Sequence, residues 1–316
     1  MKNVFSPCAA LVCAAFILTT QMSAQADTFG SGANTFDIPF VNIGNTGNAA
    51  DTTGYGAVPY EYRASTYEIT QDAINKATAS GMTNVTAGPW TGNQPAANLN
   101  WYEAAAFVNF LNTSSGKTAA YDLSWSGTAW SMTLWSSEQA WTAGGTNLYR
   151  NKDAFYFLPS ENEWYKAAYY KGGGTNAGYW LYPTASSSIP TPVASGTNAG
   201  SAVYNSGAVT NPAAVTFAGG LSPYGTMGQG GNVWEWNESA LDGANSSSSQ
   251  FRVFRGGNWG SSENNLRSSS RESDDPLQQG VYLGFRVASV PEPSTYALLL
   301  MTGAGWLLWR RRKASL

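Results

Sequence analysis

The sequence predicts an α+β fold of short mixed strands, two or three helices and much irregular loop. Three observations point there. Within residues 230–286, three short segments alternate with the two-residue period of a strand. Two helix starts are written as capping boxes, Asn100 with Glu103 and Ser160 with Glu163. The remainder is rich in Gly, Ser, Thr and Asn, with 34 glycines and only 12% charged residues among 316, so few segments hold one period for long.

Taken in order, residues 36–41 (FDIPFV) and 60–67 (YEYRASTY) read as early strands. Thr70 is an N-cap for a helix reaching about Lys76, with Asp72 near its positive end and Gly81 past its close. Glu68, just before that helix, is open to a functional role; a solvated or paired surface acid is the preferred reading. Asn100 caps a second helix, in which Phe107, Phe110 and Leu111 recur at helical spacing and read as core. Residues 114–146 scatter Trp125, Trp130, Trp135 and Trp141 among Ser, Thr and Gly. Exposed indoles would suit sugar stacking; packing against the domain is the preferred reading, because tryptophan is highly buried on average. Residues 155–158 form a short strand. Ser160 then opens a helix running to Tyr170, with Trp164, Ala167 and Ala168 inward and Gly172 to Gly174 stopping it. Cap geometry and the helix dipole account for Glu161 and Glu163 without a catalytic pair. Residues 182–222 carry no clear period and read as a long surface loop.

The last region begins GGNVWEWNES, continues FRVFRGGNWGSS and closes on LGFRVA. Alternation puts Val233, Glu235 and Asn237 on one face and Trp234 and Trp236 on the other. Arg252 and Phe254 oppose Val253 and Arg255, and Phe285 and Val287 oppose Arg286. One carboxylate and three guanidinium groups thus stand among aromatics. Each needs a metal or an opposite charge, because an uncompensated buried charge costs on the order of several kcal/mol. Gly256-Gly257 supplies a turn that other residues enter only with strain.

Residues 1–26 read as a secretory signal peptide for signal peptidase: Lys2, an apolar stretch, then the small-x-small pattern Ala24-Gln25-Ala26. Both cysteines, Cys8 and Cys13, lie inside it, and the chain has no histidine. The domain at 27–289 is therefore without thiol nucleophiles, histidine bases and soft-metal ligands. It is long enough to bury a core without disulfides. Over 27–290 the count is 12 Lys and Arg against 19 Asp and Glu, net −7, which leaves no electrostatic footprint for nucleic acid. In the tail, 290–316, an apolar stretch at 296–309 precedes the basic cluster 310–313. That stretch reads as a short transmembrane helix, below the roughly 20 residues of a comfortable span, with its basic end cytoplasmic.

Several blocks resemble a known family. Residues 157–168 (FLPSENEWYKAA) resemble the LPTEAEWEYAA signature of the formylglycine-generating enzyme, or sulfatase-modifying factor, family. Residues 98–105 (NLNWYEAA) resemble its VNVSWYDA helix start. Residues 231–236 match GNVWEW, 255–259 match RGGSW and 284–286 match GFR, all in family order. The tail, with Pro291-Glu292-Pro293, resembles the PEP-CTERM sorting signal of Gram-negative bacteria.

The first resemblance implies a variant of the C-type lectin fold. Members that oxidise a sulfatase cysteine bind copper through two cysteines shortly after RGGSW. The matching positions are Ser261 and Leu266, which cannot hold Cu(I). Members that use iron rely on a three-histidine set in a separate helical domain. The resemblance therefore implies no copper, zinc or iron site here. Some members hold Ca²⁺ beside GNVWEW. The matching Asn232 and Glu235, with the carbonyls of Gly231 and Val233, are candidate calcium ligands; the competing reading pairs Glu235 with Arg255 or Arg286. The tail implies export, transient membrane retention and cleavage by an exosortase-type enzyme.

The expected function is a non-catalytic, C-type-lectin-like module of the bacterial envelope or extracellular matrix, binding a glycan or surface protein. An oxidative modifying enzyme and a structural matrix protein are the alternatives. The resemblance gathers Trp236, Asn237, Arg255, Asn258, Trp259 and Arg271 around a shared cleft. They would supply stacking area, amide hydrogen bonds and guanidinium donors. The competing reading makes the two tryptophans sheet packing and the arginines structural.

Overall fold

A computed structural model describes residues 25–205 and 210–291. The predicted signal peptide up to residue 24 and the tail from 292 lie outside the described residues. The chain opens with β1 (Gln25–Phe29), β2 (Phe36–Ile43) and β3 (Tyr62–Ser65), then α1 (Gln71–Ala79) and α2 (Trp101–Ser114). Two hairpins follow, β4 (Asp122–Trp125) with β5 (Trp130–Thr133) and β6 (Ala140–Trp141) with β7 (Asn147–Asn151). Strand β8 (Tyr156–Phe157) leads into α3 (Glu161–Tyr169). In the weakly patterned segment the described residues form the parallel pair β9 (Thr191–Pro192) and β10 (Ser201–Ala202) and a single 3-10 turn, Val215–Phe217. The chain ends in β11 (Trp234–Ala240), β12 (Arg252–Arg255), β13 (Glu272–Asp274), β14 (Leu283–Phe285) and β15 (Ala288–Ser289).

Two sheets frame the molecule. One has the order β1-β2-β3-β15-β8, the other β13-β12-β11-β14. In the second, β14 runs parallel to β11 while β12 is antiparallel to both neighbours. Only Arg286 and Val287 separate β14 from β15, so the chain passes between sheets at Arg286.

Local grammar explains the helices. Thr70 Oγ1 accepts from Ala73 N at 3.0 Å, starting α1. The capping boxes of α2 and α3 are both complete; removing such a cap typically costs ~1 kcal/mol. Helix α2 buries Phe107 and Leu111, while Phe110 is only partly buried. The Phe107 ring meets Phe285 edge-on at 5.6 Å, which ties α2 to the four-stranded sheet. In the tryptophan-rich segment, Trp125 stays 39% exposed and tilts against Trp130 at 5.3 Å.

Strand β1 has no counterpart in the sequence reading. Gln25 and Ala26 stand opposite Phe40 and Pro39, so the strand crosses the expected cleavage point after Ala26. Next to it, Asp27 holds Arg63 at 2.6 Å. Among the described residues no helix is long and apolar enough to cross a membrane; the apolar tail at 296–309 lies outside them.

Candidate functional site

The GNVWEW, RGG and GFR blocks meet under the four-stranded sheet, and their charges find partners there. The Glu235 carboxylate is gripped by Arg286, Nε to Oε2 and Nη2 to Oε1, both at 2.6 Å. Trp164 Nε1 donates to the same carboxylate at 2.6 Å. Arg286 also donates to the carbonyls of Ser65 and Met227. Glu235 and Arg286 are both 0% exposed, and a bidentate fork of this kind is among the stronger buried contacts. Arg255 is the cross-strand neighbour of Glu235, yet its side chain turns away to Glu161, at 2.7 Å from Nε to Oε1. Arg271 closes on the same carboxylate at 2.8 and 2.7 Å. Arg252 departs from the expectation that each guanidinium takes an opposite charge. It lies over Trp101 and Tyr149, at 4.6 and 4.0 Å from the ring centres, and donates to the carbonyls of Gln250 and Ser248. Ring faces and carbonyls can hold a guanidinium because it is weakly hydrated.

A third cluster lies at the start of α3. Arg150 stands between Glu163 and Glu238, reaching them at 2.9 and 2.7 Å. Burial works against the charge of Glu163, but Arg150 and the cap hydrogen bonds hold its carboxyl below the usual range. Burial pushes Glu238 up, only partly offset by Arg150. Glu163 is thus both cap and ion-pair partner, and Glu161 is the shared acceptor of two arginines; the helix dipole alone does not account for either.

The two side chains among the candidate calcium ligands, Asn232 and Glu235, are already committed. Asn232 Oδ1 accepts from Ala213 N at 2.8 Å, and its Nδ2 donates to Glu68 at 2.6 Å. Both Glu235 oxygens face the Arg286 guanidinium. Calcium takes about 6–8 oxygen ligands, and here it would lie beside a buried cation that already holds the carboxylate. The donor set fits the ion pair and not calcium. Among the described residues no group of three or more His, Cys, Asp or Glu is placed to hold a metal.

Glu68 is not a surface acid. It is 2% exposed and accepts from Asn232 Nδ2 and, at 3.2 Å, from Val233 N. Burial first and the Glu235 charge second push its carboxyl well above the usual range; Arg286 offsets this only in part. Gly228 (φ +84°) leaves room for it, since a Cβ there would fall 2.8 Å from Glu68 Oε2. Glu68 lines a cleft of about 350 Å³ shared with Asp37, Asp72 and Lys76. A single acid before a helix cap carries no local sign of such burial, so the sequence pointed to the residue but not to its buried setting.

The expected ligand surface is only partly assembled. Trp236 and Asn237 are 0% exposed and Arg255 is 1% exposed. Trp236 packs edge-on against Phe254 at 5.3 Å, and its indole donates to Leu99 O. The cleft reading needs one face of β11 open, but all seven of its residues are buried, so both faces are covered. Arg271 is partly exposed and belongs with Arg255, Glu161 and the Tyr55 ring, 5.1 Å away. Asn258 and Trp259 remain near the surface. Trp259 meets Trp90 edge-on at 5.2 Å, and Trp90 donates to Val281 O at 2.8 Å. Trp90, on a Pro- and Gly-flanked loop, was not singled out in the sequence; an aromatic between such residues was its only signal.

Ser261 and Leu266 do come together. A Cβ built on Gly257 would lie 2.9 Å from Leu266 Cδ1 and 3.3 Å from Ser261 Cβ. Ser261 Oγ accepts from Asn258 N at 2.9 Å, while Leu266 is fully buried against Tyr182, Ala202 and Tyr204. The position offers one hydroxyl and one alkyl group.

Comparison with known proteins follows this geometry. Residues 34–290 match the sulfatase-modifying factor enzyme 1-like domain, and residues 289–313 match the PEP-CTERM protein-sorting motif. The fold is similar to that of Treponema denticola variable protein 1, with TM-score 0.58 and 21% identity over 85% of this chain and 100% of that one. It is also similar to CarF, with TM-score 0.56 and 17% identity over 81% of this chain and 99% of that one. At these identities the likeness is one of fold. In sequence, 149 residues are 28% identical to hercynine oxygenase of Mycolicibacterium smegmatis, covering 42% of this chain and 32% of that protein. The chain thus spans about a third of that relative's length. The sorting motif marks export and sorting to the Gram-negative cell envelope through an exosortase-type system. With its five sequence blocks in place on a C-type-lectin-like fold, the chain belongs to the sulfatase-modifying factor enzyme 1-like family.

Proposed function

We propose that the protein is a non-catalytic module of the cell envelope or extracellular matrix that binds a glycan or protein ligand. The Trp90–Trp259 pair carries this reading. Two indoles meet edge-on at a partly exposed rim, Trp259 standing two residues past the Gly256-Gly257 turn, whose φ values of +101° and +78° favour glycine. Such a pair supplies flat, rigid contact area at little entropic cost. Asn258 stands beside it with its oxygen engaged by Gly260 N and the Ser261 hydroxyl, and its amide hydrogens, which have no partner among the described residues, would serve a ligand. Ser261 and Leu266 support the non-catalytic part, since neither supplies a thiolate.

A capture experiment tests the reading: the mature protein is offered a glycan array and envelope extracts of the producing cells. Saturable capture that Trp259→Ala weakens supports it; no capture from either source overturns it. Similarity to hercynine oxygenase favours a second reading, an oxidative modifying enzyme. Turnover of a sulfatase-type cysteine peptide with copper and oxygen supplied would promote that reading over the first.

A further inference from the structure

We propose that the cavity between Tyr60, the β6–β7 hairpin and the start of α3 is a binding site for one neutral sugar ring. The site is separate from the Trp90–Trp259 rim and does not depend on it. The cavity holds about 140 Å³ and is lined by Tyr60, Trp141, Asn147, Arg150, Asn162 and Asn245 among others. That is well under the roughly 300–1,000 Å³ of a pocket for a drug-sized ligand, so a single ring is the natural occupant.

The lining has the two chemistries a pyranose needs. Partly buried Trp141 and Tyr60 meet edge-on at 5.4 Å and give the C–H face of a ring an aromatic wall. Polar atoms with unused capacity surround them. Asn162 is exposed; its Oδ1 accepts from Gly56 N at 2.9 Å and its Nδ2 hydrogens have no partner among the described residues. Ser239 Oγ accepts from Glu161 N at 2.9 Å, which leaves its own hydrogen to donate. The Tyr60 hydroxyl donates to Glu163 at 2.7 Å, which leaves its oxygen to accept.

The floor selects the charge of the ligand. Arg150 is fully buried between Glu163 and Glu238, one guanidinium against two carboxylates, so no positive charge is spare for an acidic sugar. Asn147 and Asn245 bond each other at 2.9 Å, and Asn147 also donates to Glu238, which fixes one wall before any ligand arrives. At the rim, Gly144 (φ +80°) takes a turn conformation that favours glycine and lies in van der Waals reach of Pro59 and Tyr60.

Saturation-transfer NMR on the mature protein tests the site, with methyl glucoside, methyl mannoside, N-acetylglucosamine and glucuronate as probes. At least one neutral sugar should take up saturation, and glucuronate should not. Trp141→Ala should weaken that binding about tenfold through lost stacking. Because Trp141 also packs on Phe157, Asn162→Ala serves as the milder variant: it takes the acceptor from Gly56 N, so it should weaken binding a few-fold with a small fall in melting temperature while the protein stays folded. Trp90→Ala should leave the binding unaltered. The proposal is overturned if no neutral sugar binds, if glucuronate binds as well, or if folded Asn162→Ala and Trp141→Ala bind like wild type. Loss of binding in Trp90→Ala instead would place the sugar on the other face and overturn it as well.

Discussion

Two of the three guanidinium clusters, those around Glu235 and Glu161, are built in opposite senses. Around Glu235 one guanidinium serves two carboxylates: Arg286 holds Glu235 directly, with Glu68 beside it, and all three are almost fully buried. Around Glu161 two guanidiniums share one carboxylate, and the Arg271 side chain is 24% exposed. The sealed cluster sits where the chain crosses between sheets, and the open one sits at the edge of α3. Charges that look alike in sequence therefore differ in what they do. Those in the sealed cluster join the two sheets, and those in the open one brace a helix end against loops.

Removing Arg286 should have the largest effect. Arg286→Ala strands two buried carboxylates and should cost about 3–5 kcal/mol in urea unfolding. Arg286→Lys should recover little, because an ammonium cannot reproduce the fork. A loss below about 1 kcal/mol would mean that the pair is not the link between sheets.

A pH series on Glu68 sharpens the contrast. The folded-state pKa of Glu68 is raised, so its contribution is present below the ordinary carboxyl pKa and is lost as pH rises through the folded value. Glu68→Gln should therefore unfold less readily than wild type at neutral pH, and the advantage should vanish in acid. Glu163 has the opposite sign, since its pKa is lowered: its contribution is present above the ordinary carboxyl pKa and is lost as pH falls. Equal stability of Glu68→Gln and wild type at every pH would remove the charge argument at that site.

Arg271→Ala should cost at most ~1 kcal/mol, because the exposed arm is screened and Arg255 still holds Glu161. A loss as large as that of Arg286→Ala would erase the distinction between the clusters. Calcium should have no effect on the melting temperature. An ion bound only to the native state would add about 2.7 kcal/mol at a hundredfold excess over Kd, and a calcium-dependent shift would show that Arg286 yields Glu235 to a metal.

The helices were legible because their signals are local. Asn100 with Glu103 and Ser160 with Glu163 sit three residues apart, and the bonds they predict are the bonds formed. Strand alternation likewise located β11, β12 and β14. Partner choice was not legible. Glu235 stands opposite Arg255 in register, yet it pairs with Arg286, which the crossing between sheets brings in just past the end of β14. The burial of Trp236 stood only as the competing reading and that of Asn237 was missed, for a related reason: period-2 alternation separates two faces but does not say that both are covered. The described part of residues 182–222 gave no pattern because its two strands are two residues long, and the rest of its pairing consists of isolated bridges such as Val203 to Gly231.

The central claim is that GNVWEW supplies interior scaffolding while the Trp90–Trp259 rim meets the ligand. Capture of envelope polysaccharide, measured side by side on Trp236→Ala and Trp90→Ala with unfolding curves for both, tests it most directly. The account predicts that Trp236→Ala loses roughly 3–5 kcal/mol of stability, and that Trp90→Ala stays folded near the wild-type melting temperature but no longer captures ligand. Undiminished capture by folded Trp90→Ala would contradict it.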